Sequence, residues 1–116
     1  MMKGDYSLNP FTEKAIRAIQ SIPAGYVMTY GQVAAAAGNR RGARQVVRVL
    51  HSMSAKHNLP WHRIINAKGG ISTPADAEEK GNRQRWLLES EGIHFLPNGT
   101  IDLTVYRWFG FDGEEV

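Results

Sequence analysis

The chain holds four histidines (His51, His57, His62 and His94) and no cysteine. With no thiol, every cysteine-nucleophile mechanism, disulfide scaffold and thiolate metal site is excluded. The histidine spacings match no zinc motif, so no metal site and no cofactor is expected. Ser52 and Ser54 lie in no nucleophile turn, and Gly69-Gly70 lacks the lysine and helix of a phosphate-binding loop. One block remains. It is Pro60-Trp61-His62-Arg63-Ile64, 17 positions beyond Arg44, with Tyr30 upstream and Glu91 downstream. A histidine and a carboxylate can share a proton, and a tryptophan and a tyrosine offer flat apolar surfaces with a polar tip.

The charge pattern bears on the partner. Eleven acidic residues are present, yet none lies between Lys14 and Ala75. That stretch carries Lys14, Arg17, Arg40, Arg41, Arg44, Arg48, Lys56, Arg63 and Lys68, so the net charge of +3 understates the local basicity. A one-sign block inside a foldable segment points to a polyanion, most commonly nucleic acid. A solvated helix face is the plainer reading of the same residues. A length of 116 residues, 42% of them hydrophobic and 22% charged, fits one globular domain spanning residues 1–116. No apolar run approaches the roughly 20 residues of a membrane helix. The N-terminal residues contain no secretory core, so neither a membrane nor a secretory address is expected.

The elements that must position these residues are mostly helical. Phe11, Ala15, Ile16, Ile19 and Ile22 recur at helical spacing, which predicts a first helix over about 9–21 with Pro10 in its first turn. Tyr26-Val27-Met28 reads as a short extended link. Thr29-Tyr30-Gly31-Gln32 reads as a capping box that opens a short helix ending at Gly38. A third helix follows from about Arg41 to Met53. Its apolar stripe is Ala43, Val46, Val47 and Leu50, and its outer stripe is Arg41, Arg44, Arg48 and His51. Two helices around a glycine turn form a helix-turn-helix pattern. Trp61 to Ile65 is predicted as a strand, then a turn at Lys68-Gly69-Gly70. A helix from Asp76 to Glu91 is expected to point Trp86, Leu87 and Leu88 at the core and to stop at Gly92. Ile93 to Leu103 around Pro97-Asn98-Gly99 predicts a hairpin, with the aromatic tail from Tyr106 to Phe111 packed down. The fold class expected is α/β, mainly α, with a winged-helix-like arrangement.

The block Pro60-Trp61-His62-Arg63-Ile64 resembles the Pro-Cys-His-Arg-Val active-site block of the O6-alkylguanine-DNA alkyltransferases, with tryptophan in place of the reactive cysteine. That substitution marks the alkyltransferase-like proteins. Further blocks carry the resemblance in order: Thr29-Tyr30-Gly31-Gln32-Val33-Ala34, Gly38-Asn39, Gly42-Ala43-Arg44-Gln45-Val46 and Trp86-Leu87-Leu88-Glu89-Ser90-Glu91-Gly92. The resemblance implies a protein that rotates an O6-alkylguanine out of the duplex through the minor groove and leaves the alkyl group in place. It places Tyr30, Leu50, Trp61, His62 and Ile64 in the lesion pocket, with His62 and Glu91 bracing its floor. It sets Arg44 in the space vacated by the base, with small Gly42 and Ala43 allowing close approach. Arg41, Arg48, Lys56 and Arg63 would meet DNA.

The partners so implied are double-stranded DNA containing O6-alkylguanine and nucleotide-excision-repair proteins, with the chain acting as a monomer. Its address would be the cytoplasm, on the nucleoid, in a bacterium and the nucleus in a eukaryote. The segment Ile71-Ser72-Thr73-Pro74-Ala75, where relatives place lesion-sensing residues, has no arginine. Two rival readings stand beside this one. A winged-helix transcription factor would read major-groove sequence and be indifferent to alkylation, and an alkyltransferase with another acceptor would carry away the alkyl group.

Overall fold

The computed structural model describes residues 9–71 and 78–110. The first helix, α1 (Pro10–Gln20), starts where Asn9 Oδ1 accepts from the Thr12 N–H at 2.8 Å and Pro10 needs no donor partner. Its buried face is Ala15, Ile16, Ala18 and Ile19, with Ile22 closing the stripe just beyond. Strand β1 (Met28–Thr29) leads directly into α2 (Tyr30–Ala36). Here the capping box is complete. Thr29 Oγ1 accepts from the Gln32 N–H at 3.1 Å, and Gln32 Oε1 accepts from the Thr29 N–H at 3.0 Å.

Helix α3 (Ala43–His57) begins two residues later than the sequence pattern indicates and runs four residues further. It ends at Asn58 in the left-handed conformation, φ 52°, a role asparagine tolerates better than most residues. The buried stripe is Val46 and Val49 with Leu50 and Met53 packed behind, and Val47 is 50% exposed. Counting Val47 as core is therefore corrected. At 100° per residue it sits on the flank beside Arg44 and Arg48, while the stripe centres on Val46 and Met53.

The expected strand over Trp61 to Ile65 is a 3-10 turn, Trp61–Arg63, followed by β2 (Ile64–Ile65). Strand β2 pairs in parallel with β1, Met28 opposite Ile64 and Thr29 opposite Ile65. Helix α4 (Glu78–Ser90) buries Leu88 and Gln84, whereas Trp86 is 65% exposed and not in the core. The physical reason is the helical period: Gln84, Leu88 and Glu91 share one face, and Trp86 falls opposite. Asp76, the expected start of this helix, lies outside the described residues, as do Ser72 to Ala75.

The predicted hairpin reduces to one antiparallel bridge, Phe95 to Ile101. Its second arm turns into the short helix α5 (Leu103–Tyr106), because Asp102 caps it by accepting from the Thr104 N–H at 2.9 Å. Gly69 meets this arm, with its carbonyl accepting from the Ile101 N–H at 2.7 Å. At φ +85° and with the Ile101 carbonyl where a Cβ would stand, only glycine fits there. The tail packs as expected up to Trp108. The Trp108 N–H donates to Val27 at 2.7 Å and its carbonyl accepts from Gln32 Nε2 at 2.9 Å. Phe109 is 55% exposed, and Phe111 lies outside the described residues.

Among the described residues, two clusters form the core. The larger joins α1, α2, α3 and Ile64, and the smaller joins Val27, Ile65, Leu88, Ile93 and Ile101. The result is a mainly helical domain with a short two-stranded sheet, and its helix-turn-helix is seated on α1.

Candidate nucleic-acid interface and lesion pocket

The parallel pairing of β1 and β2 brings the 3-10 turn against the segment between α1 and β1. Three side chains lock that junction. Arg63 donates from Nε to Glu91 Oε1 at 3.0 Å and from Nη2 to Glu91 Oε2 at 2.7 Å, and from Nη1 to the Ile22 carbonyl at 2.8 Å. His62 Nε2 lies 2.8 Å from Glu91 Oε2. The Gly25 N–H donates to Glu91 Oε1 at 3.3 Å. One carboxylate thus gathers an arginine, a histidine and a backbone amide from three parts of the chain.

Burial by itself raises the Glu91 carboxyl. The Arg63 and His62 hydrogen bonds, the Gly25 amide and the positive character of His62 outweigh it and hold the pKa at about 2. Glu91 is therefore an acceptor only, and His62 must carry its proton on Nε2, leaving Nδ1 on the other side of the ring. This pair was expected to brace the pocket floor, and the structure places the two residues in contact. Arg63 was expected to meet DNA and is corrected: its guanidinium is committed to Glu91 and Ile22, and its side chain is only 18% exposed.

A second tie comes from α4. Gln84, 5% exposed, donates from Nε2 to the carbonyls of His62 at 3.1 Å and Ile64 at 3.0 Å. Sequence reasoning missed Gln84. The signal that could have found it is its place one turn before Leu88 and two before Glu91 on the inward face of the helix.

Trp61 is half-buried and stands edge-on to His62, the ring centroids 6.0 Å apart and the planes at 83°. It borders an open cavity of about 460 Å³ formed by Gln20 at the end of α1, Asn58–Arg63, and Leu87 of α4. Ile64 is fully buried in the larger core cluster, so its expected place as pocket lining is corrected: β2 turns the side chain inward. Tyr30 and Leu50 are half-buried and pack on the same cluster, and neither lines that cavity. Burial raises the Tyr30 hydroxyl above its ordinary value, which keeps it protonated and able to donate.

The outer face of α3 presents Arg44, Arg48 and His51, all exposed, with Arg40 and Arg41 in the turn before it. Arg41 is oriented by its N–H, which donates to Asn39 Oδ1 at 3.1 Å. Lys56 is exposed but lies about 120° around the helix from Arg44, outside that stripe. Ala43 is half-buried. Gly42 is buried, and a Cβ there would stand 2.9 Å from Phe11 Cε2. Its smallness thus admits Phe11 beneath the start of α3, which corrects the expectation that it opens the helix backbone to DNA. Among the described residues no cluster could hold a metal ion, and no helix is long and apolar enough to cross a membrane.

A helix-turn-helix with a basic outer face, in a domain that also holds a His–Glu-braced turn, defines a nucleic-acid-binding domain. Residues 10–93 match the family described as the 6-O-methylguanine DNA methyltransferase, DNA binding domain. The chain belongs to this family. It is 44% identical over 99 residues to the DNA base-flipping protein of Escherichia coli, covering 84% of this chain and 74% of that one. It is 34% identical over 105 residues to Alkyltransferase-like protein 1 of Schizosaccharomyces pombe, covering 87% and 96%. The fold is similar to that of S. pombe Atl1 in complex with damaged DNA containing O6-carboxymethylguanine, with a TM-score of 0.72, 35% identity and coverage of 84% and 94%. It is also similar, at a TM-score of 0.55 and 28% identity, to Mycobacterium tuberculosis O6-methylguanine methyltransferase, covering 75% of this chain and 51% of that one.

Proposed function

We propose that this chain is a DNA-damage-binding protein without enzymatic activity, which flips O6-alkylguanine out through the minor groove and marks it for nucleotide excision repair. The observation that carries the reading is Trp61 beside a complete His62–Glu91–Arg63 network, in a chain that has no cysteine. The bracing of the pocket is kept while the acceptor is replaced. Transfer of an alkyl carbon needs a nucleophile at that position, and an indole is not one comparable to a thiolate. The indole instead offers a face to the displaced base, and base–aromatic stacking is worth about 1–3 kcal/mol, comparable to much of the cost of flipping. The names of the relatives, a base-flipping protein and an alkyltransferase-like protein, support the same reading.

In this scheme Arg44 enters the space left by the base and Tyr30 helps displace the nucleotide. Arg41 and Arg48 meet phosphates without regard to sequence, and the chain acts as a monomer. A protein that grips a lesion and leaves it unchanged is useful when a second system removes it, which is why excision-repair proteins belong in the proposal. The test is competition binding between otherwise identical duplexes containing O6-methylguanine or guanine at fixed salt, with mass spectrometry of the protein afterwards. The expected result is tighter binding of the damaged duplex and an unchanged protein mass. Equal affinity for both duplexes, or a methyl group gained by the chain, would refute it.

A further inference from the structure

Lys80, in the first turn of α4, places its ammonium 5.2 Å from the centroid of the Trp61 ring. A cation over an indole face is held by the ring quadrupole, weakly at an exposed site. Among the described residues, the other ionised groups beside Trp61 are already matched. Arg63 and Glu91 are paired at 2.7 Å, and His62 spends its Nε2 proton on the same carboxylate. Among the described residues, the charge that faces the indole is therefore the Lys80 ammonium.

We infer that Lys80 makes the lesion pocket selective for guanine adducts whose O6 substituent ends in an anion, carboxymethyl being the simplest, over neutral substituents of similar size. The inference rests on the lesion-binding reading above. Trp61 stands where the acceptor of the alkyl carbon stands in the family enzymes, so the substituent on O6 packs against the indole. A carboxylate one bond further along that substituent lies beside the ammonium and gains a charge-assisted contact. A neutral chain gains nothing from the ammonium and leaves it on the ring. Lys80 is exposed, and its stem can follow the carboxylate without disturbing α4.

The experiment compares three duplexes of one sequence at fixed salt, containing O6-carboxymethylguanine, O6-propylguanine or guanine. Phosphate contacts are common to all three and cancel in the ratios. The wild-type chain is expected to bind the carboxymethyl duplex about twofold to fivefold more tightly than the propyl duplex, the range of a solvent-exposed ion pair. Lys80→Met, which keeps the stem and removes the charge, should bring that ratio to one. Lys80→Arg should preserve it, and both variants should keep the preference of adduct over guanine. A ratio unchanged in Lys80→Met overturns the inference. So does an equal weakening on all three duplexes, which would make Lys80 a phosphate contact. Wild-type binding that fails to separate either adduct from guanine is a different result, and it removes the lesion-binding reading itself.

Discussion

His62 and Glu91 are joined by a 2.8 Å hydrogen bond, and the same carboxylate oxygen accepts from Arg63 at 2.7 Å. In a chain with a thiol this histidine and carboxylate could prepare a nucleophile. Here, with Trp61 in place, the network joins the α1–β1 link, the 3-10 turn and the end of α4. Glu91→Gln should destabilise the fold by about 1–3 kcal/mol, because Arg63 keeps a poorly solvated charge without its partner. Urea unfolding at neutral pH measures it, and no loss would show that the network contributes little.

The same carboxylate sets an acid limit on stability. Its pKa is about 2 when folded against 4.5 ordinarily, so the unfolded chain takes up the proton first as pH falls. The Glu91 contribution is therefore full above about pH 4.5 and is lost progressively between there and about pH 2. The stability difference between wild type and Glu91→Gln, followed by urea midpoints over that range, should shrink as pH falls. A constant difference would contradict the depressed pKa.

Gln84→Leu should cost about 1–3 kcal/mol, since the carbonyls of His62 and Ile64 lose their side-chain donor. Lesion preference should fall with it, because the turn carrying Trp61 is released on one side. Thermal unfolding read alongside binding to damaged and undamaged duplexes tests both effects.

Ile64 and Trp86 should respond in opposite ways to what composition suggests. Ile64→Ala removes a fully buried side chain and should cost about 2–5 kcal/mol. Trp86→Ala, although it deletes a larger ring, should change stability by less than about 0.5 kcal/mol because the ring is 65% exposed. Denaturant midpoints for the two variants give the comparison directly.

Arg44→Ala should weaken binding to a lesion-containing duplex by about 1–3 kcal/mol. Arg41→Ala and Arg48→Ala should each weaken damaged and undamaged duplexes alike and reduce the salt slope by about 1. Fluorescence anisotropy titrations at several salt concentrations distinguish the two patterns. Equal behaviour of all three variants would mean that α3 docks without inserting Arg44.

Trp61→Ala should reduce the preference for damaged over normal DNA more than it reduces overall affinity. An equal loss on both duplexes would make the indole a packing residue. The measurement is the same competition assay, run on the variant.

The elements with a strong period and a clear start were legible in the chain itself. The capping box at Thr29 and Gln32, the inward stripe of α1 and the basic outer face of α3 follow from local rules, because each is decided by residues three or four apart. So was the pairing of His62 with Glu91, but only through resemblance, since the two are 29 positions apart. What the chain could not disclose is which face of a side chain ends up covered. Arg63 reads as a DNA contact, Ile64 as pocket lining, Gly42 as an opening to DNA and Trp86 as core. Three were reassigned by contacts distant in sequence: Glu91 for Arg63, the core under β2 for Ile64 and Phe11 for Gly42. Trp86 is turned outward by the period of its own helix, which puts Gln84, Leu88 and Glu91 on the inward face. Residue type excluded a thiol, and resemblance alone pointed to a ring in its place. Only the packing of α4 against the 3-10 turn decided which groups hold it, because burial and partner choice belong to contacts between elements and not to any one of them.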